Sequence, residues 1–309
     1  MTPGPYGVLS DEPNPTYHAN EAWSNSKVQV FRRSHLEAYQ RFVAKTRAAE
    51  PSTPALAMGS AVHCATLEGP AAFAEQYVLS PFDSFRTKEA QEWRAAHQLA
   101  GRQVLARSEA ATVGTCVAAV KSDPLASALL AEGRPEVTFR KRLARFDVQA
   151  RVDWYNPAGT LIPRGAGAPE PTGSYFLELK TVGTHDQSGV ERDIWDAFEH
   201  NFKKFSYHMQ AAWNREVIAE LMPNAGRDQV RPAVYYIVVQ TDEPFNCIVC
   251  QPSARALATG TVEILRYLRE LTACYETGIW NGVYEVGLPY GYEQRVLGQG
   301  KARAPELGI

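Results

Sequence analysis

Two short strings in the middle of the chain carry residues that together could act on a phosphate: Arg151-Val152-Asp153 and, further on, Glu178-Leu179-Lys180. Along an extended strand the side chains alternate faces, so Glu178 and Lys180 project to one side while Leu177 and Leu179 face the other. A carboxylate and an ammonium set among buried hydrophobic residues are costly unless something uses them. Asp153 ends an apolar-alternating strand and can meet Glu178 where a sheet opens. Two carboxylates held close repel, and a hard divalent cation with oxygen ligands relieves the repulsion. Lys180 beside them is a point charge able to orient a water or stabilise a pentacovalent phosphate. The spacing alone is equally compatible with a plain cross-strand ion pair between Glu178 and Lys180 at a sheet edge.

Two further segments add polar groups. His63 lies in Met58-Gly59-Ser60-Ala61-Val62-His63-Cys64-Ala65-Thr66-Leu67-Glu68. Gly59, His63 and Leu67 share one helical face, and the small residues let that helix approach a sheet closely. A lone histidine in such a setting is more often a hydrogen-bonded core residue. In Tyr207-His208-Met209-Gln210, Lys203, Tyr207, Gln210 and Asn214 recur at i, i+4, i+7 and i+11, a polar stripe on a helix whose other face is rich in Phe. A solvated face suits Lys203 and Asn214 and is less natural for the Tyr207/Gln210 pair.

These residues need elements to position them, and the composition allows a sizeable core: 309 residues, 45% hydrophobic and 21% charged. Such a chain is not largely disordered. The formal net charge of −2 provides no global basic field, so nucleic-acid binding requires a local patch. No apolar run is long enough for a membrane span, and the N-terminus lacks the pattern of a secretory leader. Five irregularly spaced cysteines suit a reducing cytoplasm better than a disulfide framework. Cys247-x-x-Cys250 with Cys64 and Cys274 invites an iron–sulfur reading. An i, i+3 pair on a strand points to opposite faces, however, so buried structural cysteines fit better.

We expect one domain over 1–309. Residues 1–20 are Pro/Gly/Asn-rich and read as irregular; 21–132 read as a helical part carrying His63; 133–285 hold the sheet; 286–309 read as an unstructured tail. Helices are expected from Ser24, over Ala55–Leu67 with Gly69-Pro70 as the stop, over most of 71–132, over 191–222, and from Ser253 to about Tyr275. In the 191–222 helix Ile194, Phe198, Phe202, Phe205, Met209, Ala212 and Leu221 form a core-facing stripe. In the last helix Leu257, Ile264, Leu265, Leu268 and Leu271 face inward. Strands are expected over Glu136–Arg142, Arg145–Tyr155, Tyr175–Thr181, Val234–Gln240 and Phe245–Cys250, with a Gly/Pro-rich loop at Ile162–Gly173. The fold class is mixed α/β (α+β), a central mixed sheet flanked by helices.

In order, Gly59…His63…Leu67-Glu68, Asp153, Glu178-Leu179-Lys180-Thr181 and Tyr207-His208-Met209-Gln210 resemble the PD-(D/E)xK nuclease superfamily. Within it the chain resembles the phage-type exonuclease VIII (RecE) branch. Tyr17-His18 leading to Ser26-Lys27-Val28-Gln29, Phe73 through Pro81, and Val234–Gln240 extend the likeness over about residues 16–285. The resemblance implies a restriction-endonuclease-like core and metal-dependent hydrolysis of linear double-stranded DNA, 5′→3′ and indifferent to sequence, in phage-type recombination. It implies that His63, Asp153, Glu178 and the Leu179 carbonyl ligate one or two Mg²⁺ ions, with Mn²⁺ able to substitute. Lys180 is then the catalytic lysine, and Tyr207 and Gln210 shape the site and touch the DNA. A ring-like homo-oligomer and a single-strand annealing recombinase as partner are also implied. The sequence departs from the pattern in having Val152 where the motif has proline, and in the length of its 162–173 segment.

Arg140-Lys141-Arg142 with Arg145, and Lys203-Lys204, are the candidate DNA contacts, with Arg86 and Lys88 a third; each is also a plausible solvated face. Two other readings stand beside the exonuclease. One is an endonuclease or repair nuclease with the same core. The other is an inactive DNA-binding protein with a nuclease fold, against which the retained Asp153, Glu178 and Lys180 argue.

Overall fold

A computed structural model describes residues 6–10, 12–48, 53–164, 167–184, 192–219, 221 and 231–281. The expected tail at 286–309 and the ends of the expected 191–222 helix lie outside these residues. In chain order the elements are β1 (Gly7–Leu9), α1 (Asn14–Ala19), α2 (Asn25–Arg33), α3 (His35–Ala38), α4 (Pro54–His63), α5 (Gly69–Gln76), β2 (Tyr77–Leu79), α6 (Lys88–Leu99), β3 (Gln103–Leu105), α7 (Arg107–Ser122) and α8 (Pro124–Leu130). There follow β4 (Arg134–Leu143), β5 (Phe146–Asn156), β6 (Leu161–Arg164), β7 (Gly167–Pro171), β8 (Tyr175–Val182), α9 (Ile194–Lys204), α10 (Tyr207–Ala219), β9 (Ala233–Gln240), β10 (Cys247–Cys250) and α11 (Ala254–Thr277).

Six strands form one mixed sheet in the order β1-β4-β5-β8-β9-β10. β8 and β9 run parallel and their neighbours are antiparallel. β8 and β9 are the interior of the sheet, and their near-continuous runs of buried apolar residues suit strands covered on both faces. On one face Phe139, Val148, Phe176, Tyr236 and Val238 pack under α2, α10 and α11. On the other, Tyr175, Leu177, Leu179, Ile237 and Val239 pack under α4, α7 and α8. Neighbouring residues of β8 thus serve opposite layers, as the alternation requires. Cys250 joins the first layer and Cys247 the second, with Cys274 and Cys64 likewise on opposite sides.

Helix starts follow the capping residues: Ser24 accepts the Lys27 N–H ahead of α2, Thr53 the Leu56 N–H ahead of α4, and Ser253 the Ala256 N–H ahead of α11. Other elements depart from the sequence expectations. Residues 7–9 and 14–19 are not irregular: β1 extends the sheet beside β4, and α1 follows. The Gly/Pro-rich 162–173 segment contributes the β6–β7 hairpin. The expected 191–222 helix breaks after Lys204, where Ser206 takes a φ of 53°, leaving Phe205 exposed rather than in the core stripe. Leu265, expected inward, is exposed on α11. Among the described residues no single helix is long and apolar enough to cross a membrane.

α11 holds α10 at close quarters through Gly260. A Cβ there would stand 2.5 Å from the His208 carbonyl oxygen and 2.9 Å from the Ala212 Cβ. The backbone oxygen cannot yield, so the helices must separate. Gly260→Ala is expected to destabilise the protein by about 1–3 kcal/mol in urea unfolding, despite the helix propensity it adds.

Candidate active site

The β5–β8 ladder is short. It pairs Asn156 with Tyr175, Tyr155 with Phe176 and Trp154 with Leu177, then stops. The next residues are Asp153 and Glu178, so the sheet opens where the two carboxylates stand. Asp153 Oδ2 accepts the Leu179 N–H at 2.8 Å, satisfying a donor that the ladder no longer serves. β4 is irregular at the same level. Its pairing passes from Pro135↔Trp154 to Val137↔Val152, and Glu136 between them has a φ of 53°. That backbone costs a non-glycine residue about 1–3 kcal/mol and is typical of sites held under strain.

Glu178 is fully buried and both oxygens are engaged. Oε2 accepts from Lys180 Nζ at 2.9 Å and from Gln210 Nε2 at 2.7 Å, and Oε1 accepts from Asn214 Nδ2 at 2.9 Å. β8 is an interior strand, so this is not an ion pair at a sheet edge. Lys180 Nζ also lies 5.1 Å from the centroid of the Tyr207 ring. The stripe of Tyr207, Gln210 and Asn214 on α10 therefore faces the sheet rather than solvent. Lys203 is parted from it by the helix break.

α4 delivers His63 from the opposite layer. Gly59, one turn earlier, allows the approach, since a Cβ there would lie 3.1 Å from Thr181 Oγ1. After His63 the helix loosens into a π turn, Cys64–Glu68. The wider turn brings residues five apart onto one face, and such turns often mark functional sites. His63 Nε2 lies 3.3 Å from Asp153 Oδ1 and 3.3 Å from Glu136 Oε1. His63, Glu68 and Glu136 offer ligand atoms within 4.8 Å of one another. The set of one imidazole nitrogen and several carboxylate oxygens suits a hard or borderline divalent cation.

The charges bear on one another. Burial disfavours the imidazolium of His63, but the Asp153 and Glu136 carboxylates outweigh it and raise its pKa to about 9. Burial, with the Asp153 charge adding to it, raises Glu136 to about 7 despite His63. Burial opposes ionisation of Asp153 too, but His63, Lys180 and the Leu179 N–H together hold its pKa below the usual carboxylate value. Glu178 is pushed up, first by burial and then by Asp153. Burial works against the Lys180 ammonium, yet Glu178 and Asp153 more than compensate and keep it protonated. His63, Lys180 and Arg151, whose guanidinium lies 3.6 Å from Glu136 Oε2, are positive charges in a site that also gathers the Asp153, Glu178, Glu136 and Glu68 carboxylates.

A cleft of about 1720 Å³ opens over this cluster, with His63, Glu136, Asp153, Leu179, Lys180 and Tyr207 in its walls. Glu136, Glu68 and Asn214 were not assigned as site residues from sequence. Glu136 opens the predicted Glu136–Arg142 strand, and an acid at a strand end one position from the expected core is a weak signal. Asn214 was visible only as a member of the polar stripe.

The basic candidates separate. Arg140 is not a surface cation: it is 1% exposed, and its guanidinium is bonded to both oxygens of Glu12 and to Gln149 Oε1. Lys141 is also buried, its ammonium donating to the Glu216 carbonyl. Arg140 is covered by the N-terminal segment through Glu12, and Lys141, on the opposite face of β4, meets the backbone of α10. Arg142 is exposed beside Asp147, and Lys203 and Lys204 are exposed at the end of α9.

Asn214→Leu removes one of the three donors to a buried carboxylate. We expect a loss of about 1–3 kcal/mol in urea unfolding, the cost of an acceptor left unpaired.

A mixed sheet that parts between an aspartate and a Glu-x-Lys strand, under a histidine-bearing helix, defines a PD-(D/E)xK-type nuclease core. Residues 24–283 match the family described as PDDEXK-like domain of unknown function (DUF3799), and the chain belongs to that family. The fold is similar to the crystal structure of a candidate exonuclease from Eubacterium rectale. That match has a TM-score of 0.53 and 12% identity, and covers 97% of this chain and 99% of the other. No curated protein matches the sequence.

Proposed function

We propose that this protein is a divalent-metal-dependent exonuclease of linear double-stranded DNA, close in kind to the exonuclease VIII branch of the superfamily. The observation that carries the reading is the convergence of Asp153, Glu178, Lys180 and His63 where the sheet opens beneath a large cleft. His63, Asp153 and Glu178, with the Leu179 carbonyl, would hold Mg²⁺ or Mn²⁺ as one or two ions, and Glu136 would add a carboxylate at the same place. A bound divalent ion supplies positive charge to the scissile phosphate and acidifies the attacking water.

The chain's own groups do the rest. Lys180, kept charged by Glu178 and Asp153, faces the charge that develops on phosphorus oxygens. Gln210 and Asn214 fix the rotamer of Glu178. Tyr207 shields the lysine from bulk water by covering it with its ring. Lys203 and Lys204 contact the DNA backbone without reading sequence. The 5′→3′ direction, a ring-shaped oligomer and cooperation with an annealing recombinase extend the family likeness and belong to the same proposal.

The test of exonuclease action compares linear duplex with covalently closed circular DNA in Mg²⁺. Degradation of the linear form alone is expected. Cutting of closed circles makes the protein an endonuclease. Binding of DNA without turnover of either form makes it an inactive member of the fold.

A further inference from the structure

The break between α9 and α10 turns an aromatic side chain out of the core. Phe205 is 50% exposed at the end of α9. Its ring centroid is 5.8 Å from that of Tyr207, whose ring covers Lys180. On its other side Phe205 lines a second groove of about 520 Å³ with Gln29, Val30, Arg32, Arg33 and Lys204. One residue is thus a wall of both the cleft and the groove.

The groove has no carboxylate among its lining residues, and three of its six carry a positive charge. Arg32, Arg33 and Lys204 are all exposed. Arg33 shares Glu37 at 3.0 Å, while Lys204 Nζ lies 5.3 Å from the Phe205 ring centroid. Gln29 accepts from Arg32 through Oε1, and its Nε2 has no acceptor among the described residues.

We propose that this groove binds a single strand of DNA, with an unstacked base on Phe205 and its phosphates along Arg32, Arg33 and Lys204. The inference rests on the nuclease reading and adds a path for one strand beside the reaction. A duplex offers base edges and phosphates but keeps its base faces stacked, so an exposed aromatic ring among cations suits an unpaired strand. The groove's size also suits one strand and not two. An enzyme that removes one strand from a duplex end leaves the complement unpaired next to its site, and Phe205 stands at that boundary.

Fluorescence anisotropy in EDTA tests this with the full chain. The probes are a labelled oligothymidylate of about 16 nucleotides and a blunt duplex of matching length. Phe205→Ala is expected to weaken oligothymidylate binding by about fivefold or more. Lys204→Glu is expected to lower its salt slope by roughly one. Blunt-duplex affinity should stay within about twofold in Phe205→Ala, and both variants should melt like the parent because the side chains are exposed. Equal losses on the two probes in Phe205→Ala, or no loss on either, overturn the groove while leaving the nuclease reading in place. A parent protein that binds neither probe yet melts cooperatively overturns both.

Discussion

Lys180→Ala is expected to lower the proposed DNA hydrolysis by about 10²–10³ at saturating Mg²⁺, the usual effect of removing one preorganised group that meets developing charge. The loss falls on kcat more than on KM, because Lys180 is small in the DNA footprint and large at the reacting phosphate. The same substitution strips Glu178 of its cation and leaves Gln210 and Asn214 as its donors. Removing one member of a buried pair costs about 3–5 kcal/mol when the remaining charge cannot escape. Here it can escape in part, since burial and Asp153 already push the Glu178 carboxyl toward its protonated form. Urea unfolding should therefore show a larger penalty for Lys180→Ala at pH 8 than at pH 6. An equal penalty at both values would mean that Glu178 is not the group left behind.

The second large effect is a dependence of stability on pH that divalent ions reverse. In cation-free protein the pKa of Glu136 is about 7 and that of His63 about 9, above the ordinary 4.5 and 6.5. Both groups hold their protons more tightly when folded. The stabilisation is complete below each unfolded pKa and is lost as pH rises through the folded value. The window runs from about pH 4.5 to 7 for Glu136 and from about 6.5 to 9 for His63. From His63 alone the loss is about 3 kcal/mol, a fall of several degrees in Tm for a chain of this size. A cation at the proposed site would take the place of these protons, so Mg²⁺ or Mn²⁺ is expected to bind more tightly as pH rises and to release protons as it binds. At 100 times Kd it contributes about 2.7 kcal/mol. Melting scans from pH 5 to 9, with and without Mn²⁺, should diverge toward high pH. Parallel curves would remove His63 and Glu136 from the cation site.

The parts of the site that share one strand were legible in the sequence, because strand parity alone puts Glu178 and Lys180 on one face. The opening of the sheet at Asp153 was also legible, since the apolar alternation ends there. What was not legible depends on partners remote in sequence. Arg140 looked like a surface cation until β1 and Glu12 covered it, and a three-residue strand has too few positions to show a period. Phe205 continued a helical apolar stripe, and Ser206 carries no turn signature strong enough to announce the break. Asn214 belonged to the polar stripe, but its burial against Glu178 follows from the packing of α10 on the sheet. Glu136 has its role because its backbone turns left-handed opposite Asp153 while β4 and β5 keep one register on either side, which no local pattern records.

The chemistry proposed for Asp153 and its neighbours is hydrolysis of DNA with a divalent ion. Its most direct test is a time course on end-labelled linear duplex with Mg²⁺, for the parent protein and Asp153→Asn, each repeated in EDTA. Rapid loss of the duplex is expected with the parent protein, abolished by EDTA and reduced at least about 10²-fold by the substitution. Undiminished hydrolysis by a folded Asp153→Asn protein, or hydrolysis that persists in EDTA, would contradict it.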